Sequence, residues 1–140
     1  MNKIVSPVTT LTLVLTYAKL IDDRRFDELR ELMCDDLHFL GSNFEFKCFT
    51  DYRSGLDHLL QYKRTVHFVG NHLGEWQGEE FIGDTYGVSS HLYEQQGEVR
   101  KFDMGVRYRD RIIREAGKLK FKARTMELLW SQDLPEKLTI

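Results

Sequence analysis

Apolar residues recur at helical spacing over residues 7–23. Leu11, Val14, Ala18 and Ile21 stand at i, i+3, i+7 and i+10, one face of an α-helix. Ser6 is placed to cap this helix and Pro7 to open it, where a missing N–H removes no hydrogen bond. A second, short helix is predicted over residues 25–33, with Phe26, Leu29, Leu32 and Met33 inward and Asp27, Glu28 and Glu31 outward. Asp35 and Asp36 end it. Residues 37–40 and 44–49, split by Gly41-Ser42-Asn43, read as a short hairpin. A third helix begins at Asp51 and carries Tyr52, Leu56, Leu59 and Leu60 at helical spacing to about Lys63.

From Thr65 the period changes to two. Turn signals at Gln77-Gly78-Glu79, Gln96-Gly97-Glu98 and Ala116-Gly117-Lys118 divide the remainder into four long strands, an antiparallel meander. In the third of them Phe102, Met104, Val106, Tyr108 and Ile112 share one face, and Lys101, Arg107, Arg109 and Arg111 the other. In the fourth, Leu119, Phe121 and Ala123 oppose Lys118, Lys120, Lys122 and Arg124. Helices in the first half and a meander in the second predict an α+β domain, helices packed on one face of a curved sheet that encloses a hollow. One domain over residues 1–140 is expected, with residues 131–140 a polar tail.

Asp22 interrupts this pattern, because it falls on the apolar stripe of the first helix while Asp23 turns about 100° away. An inward carboxylate is costly unless paired. The candidate partner is His67, in the extended run Thr65-Val66-His67-Phe68-Val69-Gly70-Asn71, on one face with Val69. Taken singly, each has a plain structural explanation: a frayed helix end for the Asp, a satisfied strand residue for the His. Together on apolar faces they suggest a general-base pair.

The 140 residues, 30% charged, 41% hydrophobic and 12% aromatic, are those of an ordinary globular domain able to bury a core without metals or disulfides. A formal charge of −2 gives no global attraction to nucleic acid. Cys34 and Cys48 lack ligand spacing, which indicates free thiols and a reducing, cytoplasmic compartment. The run over residues 8–17 is too short to span a bilayer and lacks a cleavage signal. His67 and His72, five apart, are expected on opposite strand faces and so do not form a metal pair. Gly70 and Gly74 lack a nucleotide-loop context, and Ser89-Ser90-His91 is not a hydrolase elbow. No metal or organic cofactor is expected. Arg107, Arg109 and Arg111 beside Lys118, Lys120, Lys122 and Arg124 offer a docking or nucleic-acid surface as the alternative to a solvated or oligomeric face; aromatics are not interleaved there, which disfavours nucleic acid.

The segments Tyr17-Ala18-Lys19-Leu20-Ile21-Asp22, Phe26-Asp27-Glu28-Leu29, Asp35-Asp36, Thr65 through Asn71 and Gly105-Val106-Arg107-Tyr108-Arg109-Asp110 are, in that order, similar to the SnoaL-like branch of the nuclear transport factor 2-like superfamily. The resemblance covers almost the whole chain. It implies an α+β cone with a deep pocket, assembled as a dimer or trimer. Members such as scytalone dehydratase, hexachlorocyclohexane dehydrochlorinase and bile-acid 7α-dehydratase use an Asp on the first helix and a His on the first long strand, matching Asp22 and His67. A functional tyrosine of the bile-acid enzyme matches Tyr17. His91 is the nearest counterpart of a second histidine in scytalone dehydratase, although Ser89, two residues away, aligns nearly as well. Leu119 departs from relatives that often carry Trp.

These residues predict a cofactor-independent lyase or isomerase acting on a small, mostly apolar molecule. His67 is the expected base and Asp22 its orienting partner, with Tyr17, Tyr86 or His91 as proton donor; Val69, Tyr86, Ser89 and Tyr108 are the expected substrate contacts. The alternative is a ligand-binding or docking domain without catalysis.

Overall fold

The computed structural model describes residues 3–136. Helix α1 (Thr10–Asp22) is followed by a 3-10 helix over Phe26–Glu31, strands β1 (Met33–Leu40) and β2 (Glu45–Phe46), helix α2 (Phe49–Gly55), a second 3-10 helix over Leu56–Gln61, and four long strands. These are β3 (Arg64–Gln77), β4 (Glu80–Gln95), β5 (Glu98–Glu115) and β6 (Lys118–Pro135). All six strands form one sheet in the order β2-β1-β6-β5-β4-β3. The helices pack on one face of this curved, mostly antiparallel sheet, the expected α+β cone.

The helical segment begins later than the sequence suggests. Thr9, not Ser6, is the N-cap: its hydroxyl accepts from the Thr12 N–H, and the Thr12 hydroxyl accepts from the Thr9 N–H. Leu11 is consequently 45% exposed, and the buried face is Leu13, Val14, Tyr17, Ala18, Leu20 and Ile21. The second predicted helix is a single 3-10 stretch, because residues 33–40 leave it to become β1. Met33, Cys34, Leu37 and Phe39 of β1 are buried while Asp35 and Asp36 point to solvent, so the aspartates lie inside a strand rather than ending a helix. That strand pairs in parallel with β6, a long-range contact that no local pattern encodes. The third helix breaks at Gly55 and Leu60 is exposed. Residues 131–135, expected as tail, continue β6 and pair with β5; the remainder of that tail, residues 137–140, lies outside the described residues.

The hairpins follow the turn chemistry closely. Gln96 and Gly97, at φ 52° and 78°, and Ala116 and Gly117, at φ 51° and 78°, supply the paired left-handed residues that two-residue turns between twisted strands require.

Two irregularities in the alternation rearrange the interior. Between β5 and β6, Ile112 pairs with Phe121 but Arg111 pairs with Ala123, so β6 carries one extra residue at Lys122. Leu119 and Phe121 face inward before this bulge, and Arg124 and Met126 after it. Arg124, expected on the outer basic face, is therefore 1% exposed and pairs with buried Asp110 at 2.6 and 3.2 Å. In β3, Val69 pairs with Gly87 and His72 with Thr85, three steps against two. His67 and His72 thus share the inner face, contrary to the expectation from their spacing. His72 donates from Nδ1 to Thr85, whose hydroxyl donates to Asp110; its Nε2 meets the Thr10 hydroxyl.

Removing one member of a buried ion pair leaves an uncompensated charge. Arg124→Met is expected to cost about 3–5 kcal/mol in urea unfolding, and the double variant Asp110→Leu/Arg124→Met much less. Equal losses in the two would show that the cation acts only through packing.

Candidate functional site

The end of α1 and the start of β3 are locked together by polar contacts. Arg24, at φ 60°, reverses the chain after the helix. Its guanidinium donates to the Thr65 hydroxyl at 2.7 Å and to the carbonyls of Ile21, Leu59 and Tyr62 at 3.1 to 3.4 Å. Thr65 in turn donates to Asp22 Oδ1 at 3.0 Å. Asp22 Oδ2 accepts the backbone N–H of His67 at 2.9 Å, and Oδ1 accepts from His67 Nδ1 at 2.6 Å.

This arrangement assigns the tautomer. An ionised carboxylate only accepts, so Nδ1 carries a proton and Nε2 of the neutral ring keeps its lone pair. Burial pushes the Asp22 carboxyl upward, but hydrogen bonds from the His67 ring and backbone and from Thr65 outweigh it and hold the acid below its usual range. The dyad separates an internal cavity from a shallow groove beside Leu15, Lys19 and Phe68, and its side chains keep 17% (His67) and 23% (Asp22) exposure.

The cavity has a volume of about 340 Å³. Tyr17, His67, Ser89, His91 and Tyr108 all line it, with a predominantly apolar wall that includes Phe39, Phe44, Phe46, Leu56, Phe102, Met104 and Met126. Ser89 and His91 are not alternatives, since both are buried on the inner face of β4, two residues apart. Val69 borders a smaller adjoining space of about 20 Å³ together with Tyr17, Ser89 and Tyr108. Tyr86 borders the same space, but its position in β4 is one step out of phase with Thr85, Ser89 and His91. Its hydroxyl accepts from Arg107 at 3.2 Å, and Tyr86 is not among the residues that line the main cavity.

Two expected roles change with the environment. His91 donates Nδ1–H to the Phe102 carbonyl at 3.0 Å, and its ring lies 6.1 Å from that of His67. Burial lowers its pKa, the Phe102 carbonyl only partly opposes this, and charge on His67 lowers it further. At neutral pH His91 is an acceptor through Nε2, not the proton donor expected of it. Tyr17 shares a short hydrogen bond with the Tyr52 hydroxyl, and burial raises its pKa although the nearby Arg124 pulls downward. Tyr17 therefore remains a protonated donor.

Four contributors escaped sequence reading. Arg24, a single charged residue just past the first helix, carries no local signal of its role, and Tyr52 has only the helical spacing of a core position. Asp110 shares strand parity with Val106, Tyr108 and Ile112, the same anomaly that marked Asp22, and it was legible. Arg124 was not, because only the bulge turns it inward; its guanidinium carbon lies 3.8 Å from the Tyr108 ring centroid and 4.7 Å from that of Tyr17. Among the described residues no cluster of His, Cys, Asp and Glu is arranged to hold a metal ion, and no helix is long and apolar enough to cross a membrane.

The depressed Asp22 acid makes part of the stability pH-dependent. Its contribution is fully present above the unfolded value of 3.8 and is lost as pH falls through the lower folded value. Asp22→Asn lacks this component, so its unfolding free energy should fall less steeply than wild type between about pH 6 and pH 2. Parallel acid profiles would show that the carboxylate is not held in its ionised form by the fold.

The fold agrees with comparisons to known proteins. A scytalone dehydratase candidate from Novosphingobium aromaticivorans superposes with a TM-score of 0.80 at 18% identity, over 87% of this chain and 83% of that one. The Kfla4162 protein of Kribbella flavida gives 0.79 at 15% identity, over 87% and 89%. A type 2 hexachlorocyclohexane dehydrochlorinase gives 0.77 at 16% identity, over 87% and 84%. No curated protein matches the chain in sequence. The family model described as the SnoaL-like domain matches residues 11–125. With that match spanning most of the chain and the cone fold around it, the protein belongs to the SnoaL-like domain family within the nuclear transport factor 2-like superfamily.

Proposed function

We propose that the protein is a cofactor-independent lyase or isomerase, with His67 as general base and Asp22 as the group that orients it. The observation that carries this reading is the 2.6 Å contact between Asp22 Oδ1 and His67 Nδ1 on a ring that lines the cavity. The contact fixes Nε2 as the acceptor and stabilises the imidazolium once a proton arrives. The tie from Asp22 Oδ2 to the His67 backbone N–H holds the carboxylate in register with the ring.

The surrounding residues support abstraction of a proton beside a group that can leave or delocalise charge. Tyr17 stays protonated and is backed by Tyr52 and Arg124, which suits it to donate to a departing hydroxide or a developing enolate. His91 and Ser89 supply further polar contacts on the same wall, and the apolar lining fits a small, mostly apolar molecule. Relatives of this fold named as a scytalone dehydratase candidate and a hexachlorocyclohexane dehydrochlorinase are in keeping with dehydration or elimination. The free Cys34 and Cys48 fit a cytoplasmic setting.

The test is turnover of a panel of small β-hydroxy carbonyl and cyclic hydroxylated compounds, followed by mass spectrometry for loss of water or for isomer formation. His67→Ala should lower the rate by about 10²–10⁴ while retaining ligand binding, and Asp22→Asn should lower it through the wrong tautomer. A ligand that binds equally to wild type and both variants and is never converted would make this a binding protein instead.

A further inference from the structure

Arg24 holds a backbone conformation that its own side chain makes costly. At φ 60° it sits in the left-handed region, where glycine is under no strain. The residue is half-buried, yet among the described residues no carboxylate pairs with it, since the neighbouring Asp23 turns away to Lys19 at 2.9 Å. The bonds from its terminal nitrogens end on neutral oxygens: the Thr65 hydroxyl and the carbonyls of Ile21, Leu59 and Tyr62. Withdrawing a cation from water without an ion partner is unfavourable, so its presence calls for a use.

Two routes lead from this guanidinium into the cavity wall. A guanidinium only donates, so the Thr65 oxygen that receives its N–H at 2.7 Å sends its own proton elsewhere, to Asp22 Oδ1 at 3.0 Å. Both bonds point in one sense, and the cation thereby strengthens the donor that Thr65 offers to the carboxylate. Thr65 is 2% exposed, which leaves bulk water little access to either bond. Asp22 in turn accepts from the ring and backbone of His67. The second route runs through Leu59 and Tyr62, whose carbonyls receive the other terminal nitrogen at 3.4 and 3.3 Å and whose side chains line the cavity. The Tyr62 ring lies 4.9 Å from that of His91.

We infer that Arg24 is a positioning residue for both imidazoles of the cavity, setting His67 through Thr65 and Asp22, and His91 through Tyr62 at the end of the second 3-10 helix. This role rests on His67 as the base and adds to it a residue that does not itself line the cavity. One guanidinium thus holds two neutral acceptors at a fixed spacing on one wall. An arginine that served only to cap α1 through the Ile21 carbonyl would leave both rings undisturbed on removal.

Nuclear magnetic resonance on the full chain separates these roles without a substrate. R24G suits the left-handed backbone and should fold. It should convert the single Nδ1–H tautomer of His67 into a mixture, raise the titration midpoint of the Asp22 carboxyl carbon, and weaken cross-relaxation between the Tyr62 and His91 rings. Millimolar guanidinium chloride should restore all three, whereas sodium chloride at equal ionic strength should not, because only the planar fork reproduces the lost bonds. Thr65→Val, which removes the hydroxyl and keeps the shape, should raise the Asp22 midpoint with Arg24 in place. R24G/T65V should raise it no further, since members of one hydrogen-bonded chain are not additive. A folded R24G with the wild-type His67 tautomer or Tyr62–His91 packing, a Thr65→Val midpoint equal to wild type, additive shifts in the double variant, or full recovery in sodium chloride would overturn the assignment. Undisturbed rings in a chain that performs turnover would remove the role of Arg24 alone, and disturbed rings in one that converts nothing would remove the lyase or isomerase chemistry alone.

Discussion

The buried contact between Arg124 and Asp110 is the interaction on which the two halves of the interior depend. A guanidinium with 1% side-chain exposure can be held there only because a carboxylate meets it through two of its nitrogens and three aromatic rings, Tyr17, Tyr108 and Phe121, lie against it. On one side, Thr85 and His72 extend the network to Thr10 in the first turn of α1. On the other, the cation underlies the Tyr17 and Tyr108 rings that form part of the cavity wall. The same pair thus fixes the start of the helix against the sheet and sets the electrostatics of the phenols in the pocket.

The site obeys a similar logic at the opposite end of α1. Asp22 is a helix-terminal residue, where the chain is usually loosest. Four donated or shared hydrogen bonds among Arg24, Thr65, Asp22 and His67 remove that freedom. The helix is consequently tethered at both ends, by His72 to Thr10 and by Thr65 and His67 to Asp22. Such tethering suits a cavity that must hold a ring nitrogen in one orientation, since a misplaced base forfeits most of the rate it supplies.

Much of this was legible in the chain. Long strands of period two with left-handed turn residues between them specify their own hairpins, and β3 to β6 lie where the alternation and turn signals put them. Asp22 and His67 stood out because each violates or decorates a regular pattern. The helices were harder: Ser6-Pro7 offers a plausible start, yet Thr9 with Thr12 forms the better reciprocal cap. Asp35 and Asp36 suggested a helix end because a solvent-facing pair within a strand looks locally like a terminator.

What the sequence by itself determined is the set of features that arise from neighbours along the chain: the meander, its turns, the amphipathic first helix and the anomalous acid upon it. What only the tertiary structure decided is which face a residue occupies once an extra residue enters one strand of a pair. The bulges at Lys122 and between Val69 and His72 cost nothing recognisable in local pattern, because each strand on either side still alternates correctly. Each extra residue reverses which parity faces inward beyond it, so the inward turn of Arg124 and the shared face of His67 and His72, like the parallel docking of β1 on β6, become visible only when the strands are side by side.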